Sequence, residues 1–260
     1  MARRSLIAAA RAAVAAAATL ATAAIVTAAL ATAAAASAPP AQQPDFEPLY
    51  RQALEQRERA LGKEAAKTVE SARDLALYLA GRGEYEKAAP FLPQALATAG
   101  TPAQATVLHN WAVTLGPEDA ERLYRKALAI RQKSLPPLDV ELATTRLNLA
   151  ELVLDRDATE AAQLTRAALA AFEKKLGPTD ARTGAACGTL GAALATQGDV
   201  PGAERMFRRA LSIAEKAHGA NASETASALE NLADLLTQTG RELAARPLSN
   251  RAQKIRARAR

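Results

Sequence analysis

The chain has 260 residues, of which 33 are Lys or Arg and 27 are Asp or Glu, giving a formal net charge of +6 at pH 7. Its single cysteine, Cys187, excludes a fold held together by internal disulfides, because a bridge needs two thiols. The two histidines, His109 and His218, are far apart in the sequence, and no HExxH, CxxC, Gly-rich phosphate loop or nucleophile elbow occurs, so we expect no enzyme, no catalytic residue, no metal site and no cofactor.

The first 36 residues are typical of an export signal. Arginines occur near the start, no charged residue occurs in 12–38, and small residues at 34–36 precede Ser37 in the small-x-small pattern of a cleavage site. We therefore expect a signal peptide over 1–36, and export to the periplasm or beyond. The Arg3-Arg4 pair also resembles a twin-arginine signal, but the commoner Sec route is preferred.

An uncleaved inner-membrane helix is the alternative interpretation of this segment. The uncharged run is long enough to span a bilayer, although Ala and Thr, which dominate it, contribute little to insertion. An organelle transit peptide is a third possibility. A linker containing Pro and Gln follows over 37–44 and leads into the array that we predict for 45–260.

An Ala-Leu phrase preceded by an aromatic or aliphatic residue returns six times along the remaining chain. Its copies are LYRQAL (49–54), FLPQAL (91–96), LYRKAL (123–128), LTRAAL (164–169), MFRRAL (206–211) and the degenerate LSNRAQ (248–253). The last residues of successive copies are 42, 32, 41, 42 and 42 positions apart (54, 96, 128, 169, 211 and 253). A period in this range indicates a stack of similar structural units rather than one closed core.

A second recurring element lies between these phrases and predicts a partner helix for each of them. It reads DLA (74–76), NWA (110–112), NLA (148–150), TLG (189–191) and NLA (231–233). An aliphatic residue follows each Leu or Trp four positions later, at Leu79, Leu115, Val153, Leu194 and Leu236. This spacing is helical, so we name these segments A helices and the Ala-Leu segments B helices. No segment alternates like a strand, and the chain is predicted to be all-α.

The B helices carry two alanines seven positions apart, which predicts the face on which the A helix packs. These pairs are Ala88 and Ala95, Ala120 and Ala127, Ala161 and Ala168, Ala203 and Ala210, and Ala245 and Ala252. Residues seven apart lie on one face of a helix, and small side chains there let a neighbouring helix come close. Cys187 lies on an A helix, where a small packing residue is favoured over a reactive thiol.

The predicted joints contain residues that end and begin helices. Glycines expected to take a left-handed backbone lie between A and B helices at Gly83, Gly116, Gly198 and Gly240. Helix caps are expected at Thr101, Asp157 and Asn221, each followed three residues later by Gln or Glu. Pro90 and Pro93 lie inside a predicted B helix and oppose it, but Pro247 occupies the slot equivalent to Pro90, so we expect the architecture to accept a Pro there.

These residues together resemble a tetratricopeptide-repeat array of the roughly 42-residue type seen in kinesin light chains and many bacterial proteins. The resemblance lies in the NLA phrase, the Gly-x4-Ala turn, the Ala-Leu helix and connectors such as LGPTDARTG (176–184) and HGANASETA (218–226). It implies a right-handed superhelical solenoid of antiparallel helix pairs, with a groove lined by A helices, and it implies no chemistry. We expect five A/B pairs after one orphan B helix over 46–61. The unit containing Trp111 is about ten residues short, and Arg156 replaces the turn glycine of the third unit.

The two ends of the array differ from its interior. Ser249 and Gln253 replace the aromatic residue and Leu of the internal B helices, as a terminal unit requires. The tail carries five basic residues and no acid: Arg251, Lys254, Arg256, Arg258 and Arg260. Basic residues suit a helix C-terminus, and an exported protein rarely meets nucleic acid, so no nucleic-acid partner is expected.

A ladder of side chains on the predicted groove, most of them polar, marks the candidate binding residues. The residues directly before the Leu or Trp of the five A-helix phrases are Asp74, Asn110, Asn148, Thr189 and Asn231. One helical turn earlier, on the same face, the polar residues are Glu70, Thr106, Thr144 and Ser227. Such a ladder suits recognition of a protein or extended peptide through its backbone amides. The alternative is that each Asn bonds the backbone of an adjoining helix and sets the packing of the repeats.

The sequence therefore favours an exported, non-catalytic helical-repeat scaffold that binds a protein or peptide partner in its groove. The alternative is a membrane-anchored structural component of an envelope assembly, held by an uncleaved N-terminus and the basic tail. Membrane association is expected only in that second case.

Overall fold

The computed structural model describes residues 45–97 and 100–258, so the predicted signal peptide (1–36) and linker (37–44) lie outside the described residues. The described chain divides into two compact units, one ending at Thr114 and the other beginning at Leu115. Every regular element among the described residues is a helix.

The first unit contains the orphan helix and the shorter elements of the array. Its elements are α1 (Glu47–Leu61), α2 (Ala66–Gly81), α3 (Tyr85–Ala88), a 3-10 turn (Ala89–Phe91), α4 (Leu92–Ala97) and α5 (Pro102–Ala112). The B helix predicted around FLPQAL is thus broken into three pieces. Pro90 and Pro93 explain this break, because each removes a backbone donor and its ring clashes with the preceding turn.

The second unit consists of seven longer helices that alternate between A and B types. They are α6 (Pro117–Ser134), α7 (Val140–Val153), α8 (Ala158–Lys175), α9 (Ala181–Thr196), α10 (Val200–Ala217), α11 (Ser223–Gln238) and α12 (Glu242–Arg258). Neighbours in this order pack against each other. Pro247 lies inside α12 without ending it, as expected. Along the chain, one B-type helix is followed by A-type and B-type segments in the order predicted for five pairs.

The core lies where the two repeating phrases predict it. All ten alanines of the B-helix pairs are buried, and so are the Leu or Trp residues of the five A-helix phrases. Trp111 is fully buried, which fits a packing role. Cys187 is buried as well, and this burial raises the pKa of its thiol to about 11. The thiol therefore stays protonated at neutral pH and packs as a small apolar side chain.

The glycine joints are confirmed at three of the four predicted positions. Gly83, Gly198 and Gly240 have φ values of 78°, 81° and 73°. The prediction is wrong for Gly116, whose φ is −63° and which instead precedes the first residue of α6. The short unit explains this difference: α5 ends at Ala112, so the chain passes from one helix to the next without a left-handed residue.

The same short unit makes the prediction for Leu115 wrong. This residue lies beyond the end of α5 and not on the A helix. In the third unit, Leu149 and Ala161 are 12 positions apart, against 13 between Leu190 and Ala203. This shorter joint contains Arg156 and turns without a left-handed residue; no described non-glycine residue has a positive φ.

Two of the three predicted helix caps are confirmed. Thr101 and Gln104 form a reciprocal capping box at the start of α5. Asp157 accepts hydrogen bonds from the backbone N–H groups of Thr159 and Glu160. Asn221 is not a cap, because α11 begins two residues later, after Ala222.

Candidate partner-binding site

The nine predicted groove residues all lie on A helices, but their exposure to solvent differs. Glu70, Asn110, Ser227 and Asn231 are exposed. The half-buried members are Asp74, Thr106, Thr144 and Asn148, and Thr189 is buried. The ladder is therefore a set of separate environments rather than one uniform polar wall.

Asn148 connects two helices through side chains. Its Nδ2 donates to the hydroxyl oxygen of Tyr124 on α6 at 3.2 Å. Burial raises the pKa of the Tyr124 hydroxyl, so the phenol stays protonated over the neutral range. The alternative interpretation assigned each Asn to the backbone of an adjoining helix; Asn148 does contact the preceding helix, but through a tyrosine side chain.

Two other half-buried members of the ladder form bonds within their own helix. The Thr144 hydroxyl donates to the carbonyl oxygen of Val140 at 2.8 Å. The Asp74 carboxylate accepts from the guanidinium of its neighbour Arg73, with N–O distances of 2.6 and 2.9 Å. Burial nevertheless raises the pKa of Asp74, because desolvation outweighs this bond.

A cavity of about 310 Å³ brings three of the predicted residues together. It lies in the second unit, where α9, α10 and α11 meet. Its polar lining consists of Glu151, Thr189, His218, Glu224, Ser227 and Asn231. The other six predicted residues do not line it. Thr189 and the pair Ser227 and Asn231 belong to successive A helices, so the cavity spans two neighbouring repeats.

Glu151, His218 and Glu224 are cavity residues that the sequence reasoning missed. Glu151 accepts a hydrogen bond from the Thr189 hydroxyl at 3.2 Å. Glu151 is exposed, but the protein groups around its carboxylate displace water and so raise its pKa. The bond from Thr189 lowers the pKa and only partly opposes this shift. The equivalent positions of the other A helices hold Leu77, Val113, Ala192 and Asp234, so only one other repeat carries an acid there.

Small residues on α9 and α10 create the space in this cavity. A Cβ added at Gly188 would meet no heavy atom within 4 Å, so this glycine faces open space. Gly184 plays a different part: a Cβ there would lie 2.8 Å from the Cγ2 atom of Ile213, so the glycine allows α9 and α10 to pack closely. Five alanines complete the apolar lining: Ala181, Ala185, Ala210, Ala214 and Ala228.

The polar side chains that line the cavity are hydrogen-bonding groups. Among residues 45–97 and 100–258, no three His, Cys, Asp or Glu side chains lie together in a way that would hold a metal ion. In the same ranges, no helix has both the length and the apolar composition that crossing a bilayer requires. The cavity offers carboxylates, hydroxyls and an amide, which are groups that recognise polypeptide donors.

The family profile of the tetratricopeptide repeat matches residues 182–258, which include all of the cavity lining except Glu151 and Ala181. These residues carry tetratricopeptide repeats. No curated protein matches the sequence significantly.

Solved structures extend the same fold to the rest of the described chain. BtubC (BKLC) from P. vanneervenii is 23% identical, with a TM-score of 0.58, over 82% of this chain and 90% of that chain. A putative kinesin light chain from Podosopora anserina is 20% identical, with a TM-score of 0.55, over 76% and 99% of the two chains. MamA MSR-1 is 20% identical, with a TM-score of 0.51, over 74% and 98%. These likenesses confirm an all-α tetratricopeptide-repeat fold.

Proposed function

We propose that the protein is a non-catalytic scaffold that binds a protein or extended peptide in the groove lined by its A helices. Tetratricopeptide-repeat proteins are generally scaffolds of this kind. The observation that carries the proposal here is the cavity that places Thr189, Ser227 and Asn231, from two successive A helices, around one space.

The polar lining favours a polypeptide ligand over an apolar one. Asn231 can donate and accept, and Ser227 is exposed beside it. An extended segment presents a backbone donor or acceptor at every residue, and a ladder of amides and hydroxyls matches that repeat. Side chains of the partner would enter the cavity while its backbone follows the A helices.

Comparative affinity capture with two variants tests this proposal. One variant carries Thr189→Val, Ser227→Ala and Asn231→Ala in the cavity. Its matched control carries three substitutions at exposed helix positions that do not line the cavity, Gln163→Ala, Thr196→Ala and Ser212→Ala. We expect a protein enriched by the natural chain to be lost from the cavity variant and retained by the control. Equal enrichment by both variants contradicts a groove site.

We also propose that the protein works outside the cytoplasm. The support is the sequence of 1–36, with its arginines, uncharged run and small-x-small pattern. N-terminal sequencing of exported protein is expected to begin at Ser37 or within a few residues. Recovery of the intact Met1 form in washed membranes would instead favour the second candidate, a membrane-anchored component of an envelope assembly, which the length of the uncharged run at 12–38 supports.

A further inference from the structure

A buried arginine closes the interface between α6 and α7. The Arg131 side chain is 4% exposed, and its Nη1 donates to the carbonyl oxygen of Glu141 at 3.0 Å and to the hydroxyl of Thr145. Its Nη2 lies 3.0 Å from the Glu141 carboxylate. A guanidinium fits this place because its planar fork can satisfy several acceptors at once.

The same arrangement occurs in the first unit, so it belongs to a fixed position of the repeat. Arg57 of α1 donates from Nη1 to the carbonyl oxygen of Lys67 at 3.0 Å and to the hydroxyl of Ser71 at 2.6 Å. Arg57 and Arg131 both come three residues after the Ala-Leu phrase. Their acceptors both lie eight and four residues before the Leu of the next A-helix phrase.

Two later interfaces fill this repeat position differently. In α8 it holds Phe172, which is fully buried, with the guanidinium carbon of Arg182 6.0 Å from its ring centroid. In α10 it holds Ala214. On α11, Ala228 is equivalent to Thr145. Glu224 is equivalent to Glu141 and is also a glutamate. All three of these last residues line the cavity.

We propose that the cavity where α9, α10 and α11 meet accepts an arginine side chain from the polypeptide partner. The guanidinium would lie between α10 and α11, in the place that Arg131 fills between α6 and α7. The carboxylate and backbone carbonyl of Glu224 would accept from one side, as those of Glu141 do for Arg131. The carboxylate of Glu151 faces the same space from α7. This inference rests on the proposed function and names the chemistry of its ligand.

The charges around the cavity favour a cation. Glu151 and Glu224 are its two carboxylates, and the bond from Thr189 holds one of them in position. A basic side chain outside the lining, that of Arg256, donates to the Ser227 hydroxyl at 2.8 Å. Its own charge is paired with Glu230 at 2.9 Å. The volume of about 310 Å³ lies at the lower end of the about 300–1,000 Å³ typical of ligand pockets, which suits one side chain.

A titration with matched peptides tests the proposal directly. The full chain, labelled with nitrogen-15, is titrated with acetyl-Gly-Ala-Arg-Ala-Gly-amide and with the same peptide containing citrulline, which has the shape of arginine without its charge. We expect the arginine peptide to shift the amide signals of Gly188, Ala214 and Ala228 and to bind about tenfold or more tightly than the citrulline peptide, because charge-assisted hydrogen bonds are the stronger ones. Equal affinities, or no shifts at these residues, overturn the proposal.

Two variants locate the peptide in the cavity. Ala214→Arg supplies an internal guanidinium, and we expect it to abolish binding of the arginine peptide. Ser212→Arg adds the same charge at an exposed position of α10 and is expected to leave the affinity unchanged. Undiminished binding to a folded Ala214→Arg chain contradicts the assignment. If that variant does not fold, Glu224→Gln decides: affinity for the arginine peptide must fall about tenfold.

Failure of this inference differs from failure of the proposed function. If no arginine peptide binds but the cavity variant still loses its captured partner, the groove function stands and the guanidinium site is wrong. If arginine binds but partner capture is unaffected by the cavity substitutions, the groove function is wrong.

Discussion

The α6–α7 and α10–α11 interfaces share the same repeat positions but use them in opposite ways. Between α6 and α7, the internal Arg131 guanidinium bonds to Thr145 and Glu141. Between α10 and α11, Ala214 and Ala228 occupy the positions of the arginine and the threonine, and a cavity lies beside them. The two interfaces thus differ in that an internal hydrogen-bonded contact in one is replaced by a cavity in the other.

The comparison also explains why the cavity is tolerated. Removing only one partner of a buried hydrogen bond leaves an unsatisfied polar group, whereas replacing both by apolar groups can be nearly neutral. Ala214 and Ala228 replace both partners. Glu224, the remaining polar member, is exposed and can be hydrated. The interface therefore loses its internal cation without burying an unpaired group.

The largest effect is expected at the interface that uses an aromatic side chain. Phe172→Ala removes a fully buried ring from α8. We expect the free energy of unfolding to fall by about 3–5 kcal/mol, because a large cavity replaces the ring and α9 cannot fully collapse onto it. Urea denaturation followed by circular dichroism measures this loss. A fall below about 1 kcal/mol would show that the position does not hold neighbouring repeats together.

Arg131→Ala tests the arginine side of the comparison. We expect a loss of about 2–3 kcal/mol in the free energy of unfolding, since buried charge-assisted hydrogen bonds to Thr145 and Glu141 disappear. The variant also has an alanine at the arginine position, as α10 does, and keeps Thr145 and Glu141, so N-acetylarginine amide is expected to raise its melting temperature more than that of the natural chain. Comparable responses of the two chains would argue against a guanidinium site at this position.

The two asparagines of the ladder are expected to separate stability from binding. Asn148→Ala loses the bond to Tyr124 and should lower the free energy of unfolding by about 1 kcal/mol. Asn231→Ala, at an exposed position of the cavity, should stay within about 0.5 kcal/mol of the natural chain while weakening partner binding. Thermal melts and binding measured on both variants check this division. If instead Asn231→Ala lowers stability and Asn148→Ala weakens partner binding, then Asn148 contacts the partner and Asn231 holds the fold.

Glu151→Gln is expected to produce the smallest change and one of opposite sign. The pKa of Glu151 is raised in the folded state, so its ionisation opposes folding: stability is highest where the group is protonated and falls as pH rises through the folded-state pKa. The Gln variant lacks this fall and is expected to melt slightly higher than the natural chain at pH 7, with the difference vanishing in acid. It should also bind the arginine peptide more weakly. A lower melting temperature at pH 7 contradicts this account.

Much of the fold follows from the sequence because the repeats specify it several times. The alanine pairs, the A-helix phrase and most glycine joints recur, so each copy supports the others. Errors occur where a unit departs from the period. Gly116 and Leu115 lie in the short unit, where fewer residues connect the helices, and Pro90 and Pro93 together break a helix that Pro247 alone does not.

The site was less predictable, because it depends on departures from the repeat. The periodic ladder identifies Thr189, Ser227 and Asn231, but it also includes residues such as Asn148 that bond within the structure. Glu151 has one acidic counterpart in the other repeats, Asp234, which does not line the cavity. Ala214 could have been noticed as a small residue at an arginine position, but only the contacts of Arg131 reveal what that position does.

A double-mutant cycle between Ala214 and Glu224 tests the central claim most directly. The free energy of unfolding is measured for the natural chain, Ala214→Arg, Glu224→Gln and the double variant. If the cavity is a guanidinium site, the installed arginine is held by the Glu224 carboxylate, and the two substitutions should be coupled by about 1 kcal/mol or more. Additive effects, within about 0.3 kcal/mol, would show that an arginine at this place gains nothing from Glu224 and would contradict the account.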